Sequence, residues 1–191
     1  MSEQIHNYEQ VSIYGLDDDR REELLRAAGE CVFNWSTKDG WPVGVIMSFL
    51  WRDGKFWLTA GAHRHRIEAI QRDPRVSIVV TSTGTKLGPS KTITAKGRVR
   101  VREDEETKRW FYPALAAMIQ QGEPEATQRF AEFLDSPLRV ILEVTPEKWI
   151  TYDGEKMALD SVGQLPEARK TQPKPSDTER LARELKRRGM A

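Results

Sequence analysis

Two Asp-Gly pairs, Asp39-Gly40 and Asp53-Gly54, interrupt a stretch rich in strand formers and commit it to consecutive hairpins. Cys31 to Ser36 (CVFNWS) favours extended backbone, Lys38-Asp39-Gly40 supplies turn chemistry, and Trp41 to Trp51 resumes an apolar extended run. Arg52-Asp53-Gly54-Lys55 then turns the chain into Phe56 to Ala60, because the tightest hairpin loops need the positive φ that Asp and Gly tolerate. Trp35, Trp41, Trp51 and Trp57 all fall on this segment, so large aromatic surface is concentrated where the chain folds back on itself.

The remainder alternates between the two periodicities. Gly15 to Glu30 opens with acidic residues and carries Leu24, Leu25 and Ala28 at helical spacing. After Gly61, AHRHRIEAIQRD predicts a short helix through Ile67 and Ile70 that stops at Pro74. Val76 to Thr81 and Thr92 to Val101 read as strands joined by the loop STGTKLGPS. Helices are expected over Asp104 to Gln120 and Pro124 to Leu134, and a last strand over Leu138 to Val144, extending through Trp149 to Tyr152. Gly163 to Pro175 holds three prolines and reads as an extended linker before a helix opening at the capping pattern Ser176-Asp177-Thr178-Glu179. The expected organisation is a barrel domain over 1–162 and a linker with a basic carboxy-terminal helix over 163–191. The fold class is mainly β with flanking helices, a small six-stranded barrel.

Composition narrows the function classes. With 30 Lys+Arg against 29 Asp+Glu, the net charge of +1 gives no overall attraction to phosphate polymers, so nucleic acid is not an expected partner. The segment RLARELKRRG offers a local basic surface, which as a tail is more often simply solvated. One cysteine, Cys31, excludes an internal disulfide framework and a thiolate-rich zinc site within one chain. The amino terminus lacks the regions of a signal peptide, and no apolar stretch reaches the roughly 18 residues of a membrane span. A cytoplasmic protein without a membrane partner is expected.

Chemistry-bearing residues are few. Neither a Gly-x-Ser-x-Gly elbow, a Walker-type loop, a His-Glu-x-x-His helix nor a Gly-x-Gly-x-x-Gly fingerprint occurs. With His6 at the terminus, a histidine base is confined to His63 or His65, and their i, i+2 spacing without acidic or thiol companions is not a metal site. Catalytic residues are therefore unassigned, and an organic cofactor that does the hard chemistry fits the sparse inventory. Arg64, His65 and Arg66 sit where a strand gives way to a helix, a place whose free amides and positive dipole end suit a phosphate. The same residues read as a solvated polar face, which composition alone favours by roughly two to one.

The segment Asp39 to Val80 resembles the split β-barrel flavoproteins of the pyridoxamine 5'-phosphate oxidase-like superfamily, particularly their flavin/deazaflavin oxidoreductase branch. The resemblance rests on Asp39-Gly40 and Pro42 before one strand, Asp53-Gly54 at the hairpin, Arg64 and Arg66, and Arg72-Asp73-Pro74 leading into Arg75-Val76. It implies an FMN-binding split barrel and a homodimer with cofactor sites at the subunit interface, holding FMN or the deazaflavin coenzyme F-420. Arg64 and Arg66 match the pair that grips the cofactor phosphate, with His65 between them. Ile46, Met47, Ser48, Leu58 and Thr59 match positions lining the ring or ribityl chain, and Lys91 or Thr92 a further contact. Where the oxidase proper carries basic residues at the ends of its first cofactor-binding strand, this chain has Val43 and Ser48. It also lacks the oxidase's carboxy-terminal substrate-phosphate motif.

The function so implied is a flavin- or deazaflavin-dependent oxidoreductase passing a hydride to or from a small organic substrate. The alternative is a non-catalytic barrel that binds or carries flavin, deazaflavin or haem, a haem version enlisting His63 or His65.

Overall fold

The computed structural model describes residues 9–121 and 123–190, so His6 lies outside the described residues. The strands are β1 (Glu30–Ser36), β2 (Pro42–Ser48), β3 (Leu50–Arg52), β4 (Lys55–Gly61), β5 (Arg75–Thr81), β6 (Lys91–Arg102) and β7 (Arg139–Asp153). The helices are α1 (Asp18–Ala27), α2 (His65–Arg72), α3 (Glu105–Gln120), α4 (Pro124–Leu134), α5 (Gly154–Ser161) and α6 (Pro175–Arg187). The chain forms two compact units, one from the residues up to Leu24 with Thr81–Ile93 and everything from Ile150, the other from Leu25–Val80 with Thr94–Trp149.

Most of the sheet belongs to the second unit, and its order is β2-β1-β5-β6-β7-β4-β3. β1 pairs antiparallel with both β2 and β5, and β4 with both β3 and β7. β2 and β3 are consecutive in the chain, separated by Phe49 alone, yet stand at opposite ends of that order. The sheet therefore curls until its edges meet at Phe49, which is the split-barrel architecture that the resemblance implies.

The strand count is corrected from six to seven. Trp41 to Trp51 was expected as one run, but Phe49 leaves the ladder: its amide donates to Gly29 O at 3.1 Å, and its ring packs 5.4 Å from Phe56. Burying one large ring at the kink outweighs continuing a single strand on one partner. The Asp53-Gly54 turn forms as expected, with φ of 53° and 71°.

α3 and α4 cover one face of β4 and β7, burying Trp57, Phe111, Tyr112, Leu115, Leu134 and Ile141 together. Within β6, Gly97 lies on the core face between Ala95 and Val99, where the backbone of β7 crosses closely. A Cβ there would stand 2.3 Å from Thr145 O and 3.1 Å from Pro146 Cα. Because the obstacle is backbone, Gly97→Ala is expected to cost about 2 kcal/mol or more, read as a lower denaturant midpoint at unchanged slope. A midpoint equal to the parent's would mean that the two backbones do not meet there. Cys31 is buried in β1, and that burial pushes its thiol up to about 12, so it stays protonated at neutral pH.

The first unit has its own small core, with Ile13, Tyr14 and Leu165 buried among Tyr152, Met157 and Leu159. Lys156 is buried here, its Nζ donating to Gly15 O at 2.8 Å and pairing with Asp17. Residues 163–175 carry specific contacts: Lys170 pairs with Asp160 at 3.1 Å, and Thr171 Oγ1 donates to Ser12 O while accepting from Gly15 N. α6 starts at Pro175 with Lys174 as its N-cap and no side-chain cap, so Ser176 lies inside the helix and does not cap it as the sequence pattern suggests, and none of its residues is buried. Among the described residues no helix is long and apolar enough to cross a membrane.

Candidate functional site

Strand alternation decides which residues face outward at the end of β4. Leu58 is fully buried, while Thr59 and Gly61 open on the other side into a cleft of about 300 Å³ within the second unit. Its sheet wall is Ile46, Met47 and Ser48 of β2 with Thr59, Ala60 and Gly61 of β4. Its helical wall is Leu115 and Ile119 of α3 with Phe130 and Leu134 of α4, each pair one helical turn apart. Arg64, Arg66 and Arg139 complete the lining.

α2 begins at this cleft with Arg64 as its N-cap, and no side chain caps its first turn. That leaves first-turn amides and the positive dipole end without an acceptor from the chain's own side chains. Arg66 is half-buried, its Nη1 3.1 Å from Met47 Sδ and its guanidinium 5.7 Å from the Trp35 ring. Burial, and then the charge of Arg64, holds Arg66 below the usual guanidinium range, so its cationic form is under electrostatic tension that an anion relieves. Among the described residues none of Arg64, Arg66 and Arg139 pairs with a carboxylate, a state shared by other cations such as Lys38, Arg100 and Arg109, so what distinguishes these three is that they line one cleft. Two unneutralised guanidinium groups, Arg64 and Arg66, at an uncapped helix start that opens onto an apolar wall fit a ligand that is flat and apolar at one end and anionic at the other. The donor set thus suits a flavin-type cofactor.

Of the residues singled out from sequence, Ile46, Met47, Ser48, Thr59, Arg64 and Arg66 meet at the cleft. Leu58 faces the core. His65 is exposed on the first turn of α2 and does not line it. Lys91 belongs to the first unit, where its buried Nζ donates to Leu87 O at 3.0 Å and pairs with Glu155 at 3.2 Å, and Thr92 follows it on β6. The groove there, about 580 Å³, is roomier, but its buried cation is already neutralised. His63 folds over Gly61, its Cε1 standing 2.8 Å from where a Cβ would be. The helical wall and Arg139 escaped the sequence reading. The i, i+4 spacing of Leu115 with Ile119 and of Phe130 with Leu134 was a visible signal of an apolar face, though not of what it faces.

Beside Thr59, the Tyr112 hydroxyl is buried without a hydrogen bond among the described residues; Thr59 Oγ1 donates instead to Val140 O at 2.9 Å. Burial is the main cause that raises the Tyr112 phenol above its ordinary range, and it therefore stays protonated. Deleting an unpaired buried hydroxyl removes a desolvation penalty and no bond, so Tyr112→Phe is expected to leave the melting temperature unchanged or raised. A loss above about 1 kcal/mol would reveal a bond to that hydroxyl.

Comparison with known proteins agrees with the geometry. Residues 17–153 match the family described as pyridoxamine 5'-phosphate oxidase. No curated protein sequence matches the chain. Similar solved structures include a conserved hypothetical protein from Mycobacterium tuberculosis, with TM-score 0.64 and 17% identity, covering 78% of this chain and 91% of that one. An F-420 reductase follows with TM-score 0.51 and 23% identity over 68% of this chain and 94% of its own. The haem storage protein from Vibrio cholerae aligns with TM-score 0.52 and 12% identity over 71% and 94%. At these identities the structural likeness speaks to the fold, and the family match extends over most of the described sheet. The chain belongs to the pyridoxamine 5'-phosphate oxidase family.

Proposed function

We propose that this protein is an oxidoreductase that holds FMN or the deazaflavin coenzyme F-420 in the cleft between β2, β4 and the α3–α4 wall. The observation that carries the reading is the set of unneutralised guanidinium groups beside the uncapped start of α2. Family membership and the likeness to an F-420 reductase support it. In this reading Arg64 and Arg66 bind the cofactor phosphate with the first-turn amides of α2. Met47, Ser48 and Thr59 orient the ring and ribityl portion. Leu115, Ile119, Phe130 and Leu134 exclude water from the reacting face. Hydride transfer is the chemistry that such a cofactor supplies when bound.

The working form in this reading is a homodimer. β2 lies at one end of the sheet order and exposes Ile46 to 71%, with Trp41 beside it at 68%, a pattern that suits burial against a second copy. The test is the absorption spectrum of the purified protein before and after addition of FMN and of F-420, followed by turnover with candidate electron acceptors. A flavin or deazaflavin band with turnover supports the reading. A haem Soret band, or tight binding without turnover, would replace it with a carrier role.

A further inference from the structure

Arg139 opens β7 with its Cα paired to that of Gly61 on β4. Directly opposed residues of an antiparallel pair share a face, so the Arg139 side chain rises on the face that carries Thr59 and Ile141, beneath α3 and α4. Its cross-strand neighbour Gly61 has no side chain to fill the space beside it. Arg139 is half-buried, lines the cleft with Ile119, Phe130 and Leu134, and pairs with no carboxylate among the described residues. A partly desolvated guanidinium set in apolar surroundings is unfavourable unless an anion meets it. Its planar fork matches the two oxygens of a carboxylate. The phosphate role already has two arginines and a helix start on the α2 side.

From this we infer that Arg139 and the apolar α3–α4 wall form a subsite for the carboxylate of a small apolar organic acid, which makes such acids the substrate class of the cleft. Only the word substrate rests on the flavin reading; the binding of the acid does not. Benzoate and its uncharged isostere benzamide are the probes, titrated calorimetrically into the full-length protein with and without FMN or F-420. The parent is expected to bind benzoate at least about tenfold more tightly than benzamide. Arg139→Gln and Arg139→Ala should abolish that preference, and Arg139→Lys should keep part of it, with cofactor affinity within about twofold of the parent in all three. Equal benzoate affinity in the parent and in Arg139→Gln overturns the inference. So does a loss of cofactor affinity in Arg139→Gln as large as that in an Arg66 variant, which assigns Arg139 to the cofactor phosphate. If neither cofactor binds but the benzoate preference still depends on Arg139, the flavin reading falls and the subsite stands.

Discussion

Arg66→Ala is expected to weaken binding of FMN or F-420 by roughly 10- to 150-fold, the span of about 1.5 to 3 kcal/mol that a charge-assisted hydrogen bond contributes. Arg66 belongs at the upper end of that span. It is half-buried against Met47 and Trp35, so its charge is only partly screened, and no carboxylate competes for it. Arg64 is exposed, and Arg64→Ala belongs at the lower end. The control is Arg98→Ala on β6, whose exposed guanidinium meets Glu147 at 3.0 Å and lies outside the cleft lining. Dissociation constants from fluorescence titration, taken beside melting temperatures, separate site loss from unfolding. Unchanged affinity in both site variants would return Arg64 and Arg66 to a solvated face. Equal weakening in Arg98→Ala would mean that only diffuse positive charge attracts the cofactor.

What could be read from the sequence follows the range over which each signal acts. Turns and helix starts are local: Asp53-Gly54 adopts the hairpin φ values, and α2, α3 and α4 form over the expected stretches, because each depends on neighbours within a turn. Phe49 was invisible as a break, since its reason for leaving the ladder is Phe56, a residue of another strand. The small core of the first unit was equally hidden. Leu165 meets Ile13 and Tyr14 across almost the whole chain, and three prolines in 163–175 advertise an extended path without saying what that path touches.

The cleft divides the same way. Arg64 and Arg66 were legible because a strand-to-helix junction concentrates donors in one short segment, and Ile46 to Ser48 came from the resemblance along that same stretch. Arg139 enters the cleft only through its register with Gly61, and Ile119 and Phe130 only through the docking of two helices on β4 and β7. Lys91 shows the converse limit. A lysine at a matching position need not point its charge at a ligand, and here Leu87 O and Glu155 take up its ammonium.

The largest loss of stability is expected from Phe56→Ala. Phe56 is fully buried in β4, paired across the ladder with Trp51 on one side and Val144 on the other. Its ring stands 5.4 Å from Phe49, 4.8 Å from Trp51 and 6.2 Å from Trp149. It thus joins the kink that splits β2 from β3 to the middle of β7, and four large rings share one packed volume that cannot collapse around a missing member. Truncation should cost about 3 to 5 kcal/mol, or roughly 6 to 20 °C in melting temperature for a chain of this size. Phe56→Leu keeps most of the volume and should lose less than half as much. Trp41→Ala is the comparison: Trp41 is larger but 68% exposed, and its loss should stay within about 0.5 kcal/mol in a monomeric preparation. If Phe56→Ala and Trp41→Ala unfold at the same denaturant concentration, the ring cluster does not hold the two edges of the sheet together. If Trp41→Ala is the less stable of the two at high protein concentration but not at low, the exposed edge of β2 is covered by a second copy in solution.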